Sequence, residues 1–188
     1  PRTHRAAAGA LAAITGREIW LPDYPLAPEH PFPAAHNALD RIPIEEPLDI
    51  VGDSAGGNLA LAWALRRQNK DRLALLSPWV DLRVDGASST INIADHSAFD
   101  REDLREYASL YLGGEPATNP QCSPVLASKE ALATLGNVYI ESATSELLHA
   151  DAALLAAAVK AAGVPLTTHQ EPKAHHGWQL LPDILPEA

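Results

Sequence analysis

Val51-Gly-Asp-Ser-Ala-Gly-Gly-Asn58 is the stretch on which the fold turns. Gly52 to Gly56 forms a Gly-x-Ser-x-Gly pentapeptide centred on Ser54. The apolar run Leu48-Asp49-Ile50-Val51 leads into it and the helix-forming run Leu59 to Gln68 leads out. A serine pinched between a strand and a helix sits on a sharp turn that lifts its hydroxyl clear of the sheet. Glycines are expected at 52 and 56 because a side chain there should collide with the adjoining strand or helix. The Ala55 N–H opens the helix and is therefore placed to meet developing negative charge.

Outward from that turn, helix and strand patterns alternate. Thr3 to Ile14 reads as a helix closed by Gly16. Strands are expected at Arg17–Leu21, Leu48–Val51, Leu73–Leu76, Val138–Glu141 and Leu166–Gln170. A helix over Asp151–Ala162, closed by Gly163 and followed by Pro165, separates the last two. Short apolar strands alternating with helices predict an α/β fold with a mostly parallel sheet covered on both faces. Pro22, Pro25, Pro28, Pro31 and Pro33 make Pro22–Pro33 an irregular, rigid loop. Residues 83–112, polar at first and then helical over Asp100–Leu112, read as a candidate cap element across the sheet's carboxyl edge. Leu112–Pro124 reads as a loop.

Composition narrows the function. A chain of 188 residues with 46% hydrophobic content fits one domain, 1–188, with a proper core. With 14 Lys+Arg against 24 Asp+Glu and a net charge of -10, it lacks the basic surface that nucleic acids or anionic membranes attract. No apolar run approaches the ~20 residues of a membrane span, and the alanine-rich start carries no convincing signal-peptide cleavage pattern. A single cysteine, Cys122, excludes an internal disulfide and a cysteine metal site, so a cytoplasmic location is expected. The chain contains no methionine and does not begin with one, which points to a fragment or to a sequence from which modified methionines were omitted.

A serine hydroxyl is a weak nucleophile until a base removes its proton, and an acid must orient that base. On a strand-turn-helix scaffold of this kind the order is Ser, then Asp or Glu, then His, with acid and base following the last two strands. After Val138–Glu141 comes Ser142-Ala-Thr-Ser-Glu146-Leu-Leu-His-Ala-Asp151. Glu146 falls on the loop leaving the strand and is the expected acid. Asp151 falls where a helix begins, a position that capping and the helix dipole explain without chemistry. After Leu166–Gln170 comes Glu171-Pro-Lys-Ala-His175-His176-Gly-Trp178, with two histidines where the base belongs. His4, His30, His36, His96, His149 and His169 lie elsewhere and read as ordinary surface or hydrogen-bonded residues. A metal site at His175-His176 is disfavoured, since adjacent residues seldom converge on one ion and no ligand-spaced partners accompany them.

At these residues the chain resembles the hormone-sensitive-lipase-like family of bacterial esterases, a branch of the α/β-hydrolases. Asp23-Tyr-Pro-Leu-Ala-Pro-Glu29 looks like the family's Asp-Tyr-Arg-Leu-Ala-Pro-Glu block, with Pro25 in place of arginine. Gly52–Asn58 matches the nucleophile block, with Gly52, Asp53 and Gly56 around Ser54. Ser77-Pro-Trp-Val-Asp-Leu82 matches the segment after the next strand. The resemblance implies Ser54 as nucleophile, Glu146 as acid, and His176 of His176-Gly-Trp178 as base, with the Ala55 N–H in the oxyanion hole. A family variant with Met-x-His at this point would instead indicate His175. The implied function is hydrolysis of short-chain carboxylic esters through an acyl-enzyme, with no metal and no cofactor. Lactone or amide hydrolysis on the same triad is the alternative. A non-catalytic receptor of the same fold is disfavoured by His176, because the plant receptors that resemble this family lose the base.

Family members also carry a His-Gly-Gly-Gly loop that supplies most of the oxyanion hole, and nothing here resembles it. By resemblance, the chain begins just beyond that loop and lacks the first strands of the sheet. Each lost oxyanion donor costs about 3 kcal/mol of transition-state stabilisation, so Pro1–Ala188 alone is expected to be nearly inactive. Family dimers through the edge of the last strand make Leu166–Gln170 a candidate homodimer contact by analogy.

Overall fold

The computed structural model describes residues 3–84, 99–172 and 174–181. Four parallel strands, β1 (Asp49–Asp53), β2 (Arg72–Leu76), β3 (Val138–Ala143) and β4 (Leu166–Glu171), form one sheet in the order β1-β2-β3-β4. Around them lie α1 (Arg5–Thr15), α2 (Ala34–Leu39), α3 (Ser54–Arg67), α4 (Arg101–Leu112), α5 (Lys129–Leu132) and α6 (His149–Ala161). Parallel neighbours need a crossover connection, and α3 supplies the one between β1 and β2, as α6 does between β3 and β4. All four strands therefore end at the same edge of the sheet, where loops gather.

Alternation along β2 and β3 sends Leu73, Leu75, Val138 and Ile140 to one face, where they meet Leu61 and Ala64 of α3 and Leu155 and Val159 of α6. Leu61, Leu75, Leu155 and Val159 are fully buried. Truncating any of the leucines to alanine should cost about 2–5 kcal/mol. α3 is buried from Gly57 to Ala64, and its small residues Gly57, Ala60 and Ala64 allow it to lie close to the sheet. At the far end of α3, the buried Asp71 accepts from Arg67 Nε at 2.8 Å and from the Leu48 N–H at 2.8 Å, latching the helix end to the start of β1.

A second cluster seats α4. Leu104 and Ala108 pack with Trp79, Leu82 and Val84 from the segment after β2, and with Leu147 and Leu148 from the loop after β3. Asp100 starts α4 with a capping box, accepting from the Asp103 N–H while Asp103 accepts from the Asp100 N–H. The helical part of the expected 83–112 element is thus present; residues 85–98 and His96 lie outside the described residues.

Two expectations need correction. Arg17–Leu21 is not a strand: it is irregular, with Trp20 and Leu21 58% and 40% exposed. An apolar run becomes a strand only when its backbone finds a ladder partner, and none faces this segment among the described residues. Its tie to β1 is by side chain, from the Arg17 guanidinium to the Asp49 carboxylate. The second correction concerns Gly56. A Cβ at Gly52 would overlap the Gly56 carbonyl and stand 2.8 Å from Ala60 Cβ, and one at Gly57 would stand 2.9 Å from Pro78 Cβ. At Gly56 the nearest atom would be Asp53 Oδ1 at 3.7 Å, an ordinary contact. The crowded pair is Gly52 and Gly57, because Gly52 on β1 faces the backbone of α3, and Gly57 on α3 faces β1 and the post-β2 segment.

Candidate active site

β1 runs straight into α3, and the backbone turns at Ser54 with φ 52°. That left-handed conformation is costly for a residue with a Cβ, of the order of 1–3 kcal/mol, and it persists only where surroundings over-determine it. Here they do. The Trp79 N–H donates to the Ser54 carbonyl at 3.0 Å, and the buried Asn58 amide donates to the carbonyls of Trp79 at 3.0 Å and Cys122 at 2.8 Å. The turn is therefore locked to the segment after β2. Ala55 is the second residue of α3, so its N–H is among those that lack an intrahelical acceptor. Asp53 accepts from His4 Nε2 at 2.8 Å, which ties the residue before Ser54 to the start of α1.

Glu146 stands on the loop leaving β3, 2% exposed and flanked by the fully buried Leu147 and Leu148. A buried carboxylate is tolerated only when its oxygens are satisfied. One, Oε1, accepts from the Ala143 N–H at 2.8 Å; the other, Oε2, accepts from His176 Nδ1 at 2.6 Å. With Nδ1 committed to the carboxylate, Nε2 is the nitrogen left to take a proton. His176 arrives on the loop after β4, and that loop is clamped to the Glu146 loop. Thr144 N–H donates to the Glu171 carbonyl at 3.0 Å, and Ser145 Oγ donates to the Ala174 carbonyl at 2.8 Å. His175, by contrast, is exposed and bonds through Nδ1 to the neighbouring His176 carbonyl at 3.0 Å.

Sequence-expected acid and base are thus joined directly. Ser54 lies at the same sheet edge, but its Oγ makes no hydrogen bond among the described residues. β1 and β4 are separated by three strand spacings, about 14 Å. Asp151 is placed elsewhere: its buried Oδ2 accepts from the Val80 and Asp81 N–H groups, each at 3.0 Å, and burial pushes its carboxyl up to about 7. It orders the post-β2 segment and does not approach His176 through any hydrogen bond.

Two further side-chain arrangements had no signal in the sequence, one at the site and one away from it. Phe99, just before α4, sets its ring edge-to-face with His176, centroids 4.8 Å apart. His36, buried on α2, lies between Arg66 and Tyr111: Arg66 Nη1 donates to Nδ1 at 2.8 Å, and Nε2 faces Tyr111 Oη at 3.0 Å. Burial, with the Arg66 charge second, lowers the His36 imidazole to about 4. Among the described residues no group of three or more His, Cys, Asp or Glu could hold a metal ion, and no helix is long and apolar enough to cross a membrane.

The family model described as the alpha/beta hydrolase fold matches residues 1–42 and 44–180. An acetyl-hydrolase of Streptomyces hygroscopicus is 35% identical over 200 residues, covering 100% of this chain and 66% of that protein. A hormone-sensitive lipase from a metagenome library superimposes with a TM-score of 0.86 at 34% identity, over 100% of this chain and 68% of its own. An esterase of the bacterial hormone-sensitive lipase family does so with a TM-score of 0.75 at 32% identity, over 88% and 59%. The chain therefore spans about two thirds of the length of the acetyl-hydrolase it matches. The chain belongs to the α/β-hydrolase fold family, in its hormone-sensitive-lipase-like branch.

Proposed function

We propose that this chain carries the acid, base and nucleophile of a carboxylic-ester hydrolase that works through a serine acyl-enzyme. The observation that carries the reading is the 2.6 Å hydrogen bond between His176 Nδ1 and the buried Glu146, at the strand edge that also presents Ser54. Ser54 Oγ attacks the ester carbonyl carbon while its proton passes to His176 Nε2. The carbonyl oxygen becomes an oxyanion, which the Ala55 N–H stabilises. Collapse of the intermediate breaks the bond to the alkoxy oxygen, which leaves as the alcohol with the proton from His176. Water, deprotonated by His176, then attacks the acyl-enzyme, and the acid leaves as Ser54 regains its proton. Glu146 holds the imidazole in the required tautomer and stabilises the imidazolium.

Similarity to an acetyl-hydrolase favours short acyl chains. The reading is tested on the full-length protein with p-nitrophenyl acetate and with a fluorophosphonate. We expect turnover, plus covalent labelling that Ser54→Ala abolishes. Labelling that survives Ser54→Ala, or no hydrolysis of any short-chain ester by the wild-type protein, sinks the assignment.

A further inference from the structure

We propose that Phe99 is a positioning residue for His176, so that the chain entering α4 governs the orientation of the base; this rests on the functional reading above. The His176 side chain is held at its backbone and at Nδ1, by the 2.6 Å bond to Glu146. Two anchor points leave one motion, a rocking about the line between them that sweeps Nε2 through space. The Phe99 ring lies across that motion, with centroids 4.8 Å apart and planes 73° apart, within the range of a favourable edge-to-face pair. A phenyl ring suits the task because it has no polar group to compete with Glu146 for the Nδ1 proton, and an apolar ring beside the imidazole should limit the access of water to that proton.

Phe99 is itself held in place. It packs against the cluster formed by Trp79, Leu82, Leu104, Leu147 and Leu148, and the next residue, Asp100, caps α4. Leu147 directly follows Glu146. One apolar cluster thus supports the acid loop from beneath and delivers an aromatic ring to the base. The Ser145–Ala174 clamp acts on the backbone of the base loop, and Phe99 acts on the ring.

The test compares Phe99→Leu with Phe99→Tyr in the full-length protein. The first readout needs no turnover: the downfield proton resonance of His176 Nδ1–H, assigned by its loss in His176→Gln. We expect it in the wild type and in Phe99→Tyr, and at least tenfold faster exchange with water in Phe99→Leu. The second is steady-state ester hydrolysis. Phe99→Leu should lower kcat about 2- to 12-fold, the range an aromatic pair contributes, with KM within twofold, and Phe99→Tyr should restore kcat. Unchanged exchange in Phe99→Leu overturns the proposal, as does a rise in KM at constant kcat, which would make Phe99 a substrate contact. A wild-type protein that hydrolyses no ester but shows the exchange difference would instead sink the ester-hydrolase reading and leave the Phe99–His176 coupling standing.

Discussion

The Ser54 turn and the Glu146–His176 pair stand at the same sheet edge, yet they are built by different means. Ser54 is placed by backbone: a left-handed φ, a strand ending at its own N–H, and two neighbouring glycines that no Cβ could replace without overlap. His176 is placed by three side chains from two segments: Glu146 at Nδ1 and Ser145 on the loop backbone, both from the loop after β3, and Phe99 on the ring. The first arrangement should be brittle toward added atoms and the second toward removed ones. A nucleophile must not move, and backbone turns are stiff. A base must change charge during the reaction, and hydrogen-bonded, apolar-backed side chains can accommodate that.

The largest effect should come from deleting atoms at the pair. Glu146→Ala leaves the Nδ1 proton of His176 and the Ala143 N–H without their acceptor, and kcat should fall about 10³- to 10⁴-fold in the full-length enzyme. A loss below tenfold would show that the pair is ornamental and that the two regions do not differ as described. Next comes adding atoms at the turn. Gly52→Ala should destabilise by about 3 kcal/mol or more in denaturant unfolding, because the Gly56 carbonyl and Ala60 would both have to move. Gly56→Ala should stay within about 1 kcal/mol, since its new Cβ meets only Asp53 Oδ1 at 3.7 Å. Equal losses at the two glycines would break the brittle-backbone account.

The third test moves away from both regions to the far end of α3, where Arg66 and Tyr111 grip His36. The folded-state value of about 4 lies below the ordinary 6.5, so between those pH values the unfolded chain binds more protons. This contribution is complete above about pH 6.5 and is lost as pH falls toward 4, amounting to about 3 kcal/mol. His36→Gln should flatten that limb of the Tm-against-pH curve while kcat above pH 7 stays within a few-fold. An unchanged slope means His36 is not the group responsible. The smallest effect is expected at Ser145→Ala, which removes one hydrogen bond to the base loop, about 1 kcal/mol. A drop of two- to fivefold in kcat would rank this clamp below Glu146; a larger one would make loop position as decisive as the carboxylate.

Most regular elements were readable in the chain, both buried ones such as β3 and α6 and largely exposed ones such as β4. β1 to β4, α3, α4 and α6 all lie within a few residues of where periodicity and turn residues put them. α1 ends at Gly16 with φ 66°, as a glycine C-cap should. The failures have one cause. Arg17–Leu21 carries a strand's composition without a ladder partner, and Gly56 carries a motif glycine's letter without a neighbour in its way. In both cases the deciding atoms belong to other segments.

The same division runs through the site. Local chain chemistry pointed to Ser54, Glu146 and His176 as candidates, because a strand-turn-helix serine and polar residues just after the last two strands leave a trace in linear order. It could not choose between His175 and His176 by geometry; the fold shows His176 on Glu146 and His175 exposed. Nor could it mark Phe99, 77 positions before His176 in the chain. A phenylalanine ahead of a helix reads as one more apolar residue. Its ring meets the imidazole only because α4 and the Glu146 loop share a core, and that packing is long-range, non-directional and set by volume, so it leaves no pattern along the chain.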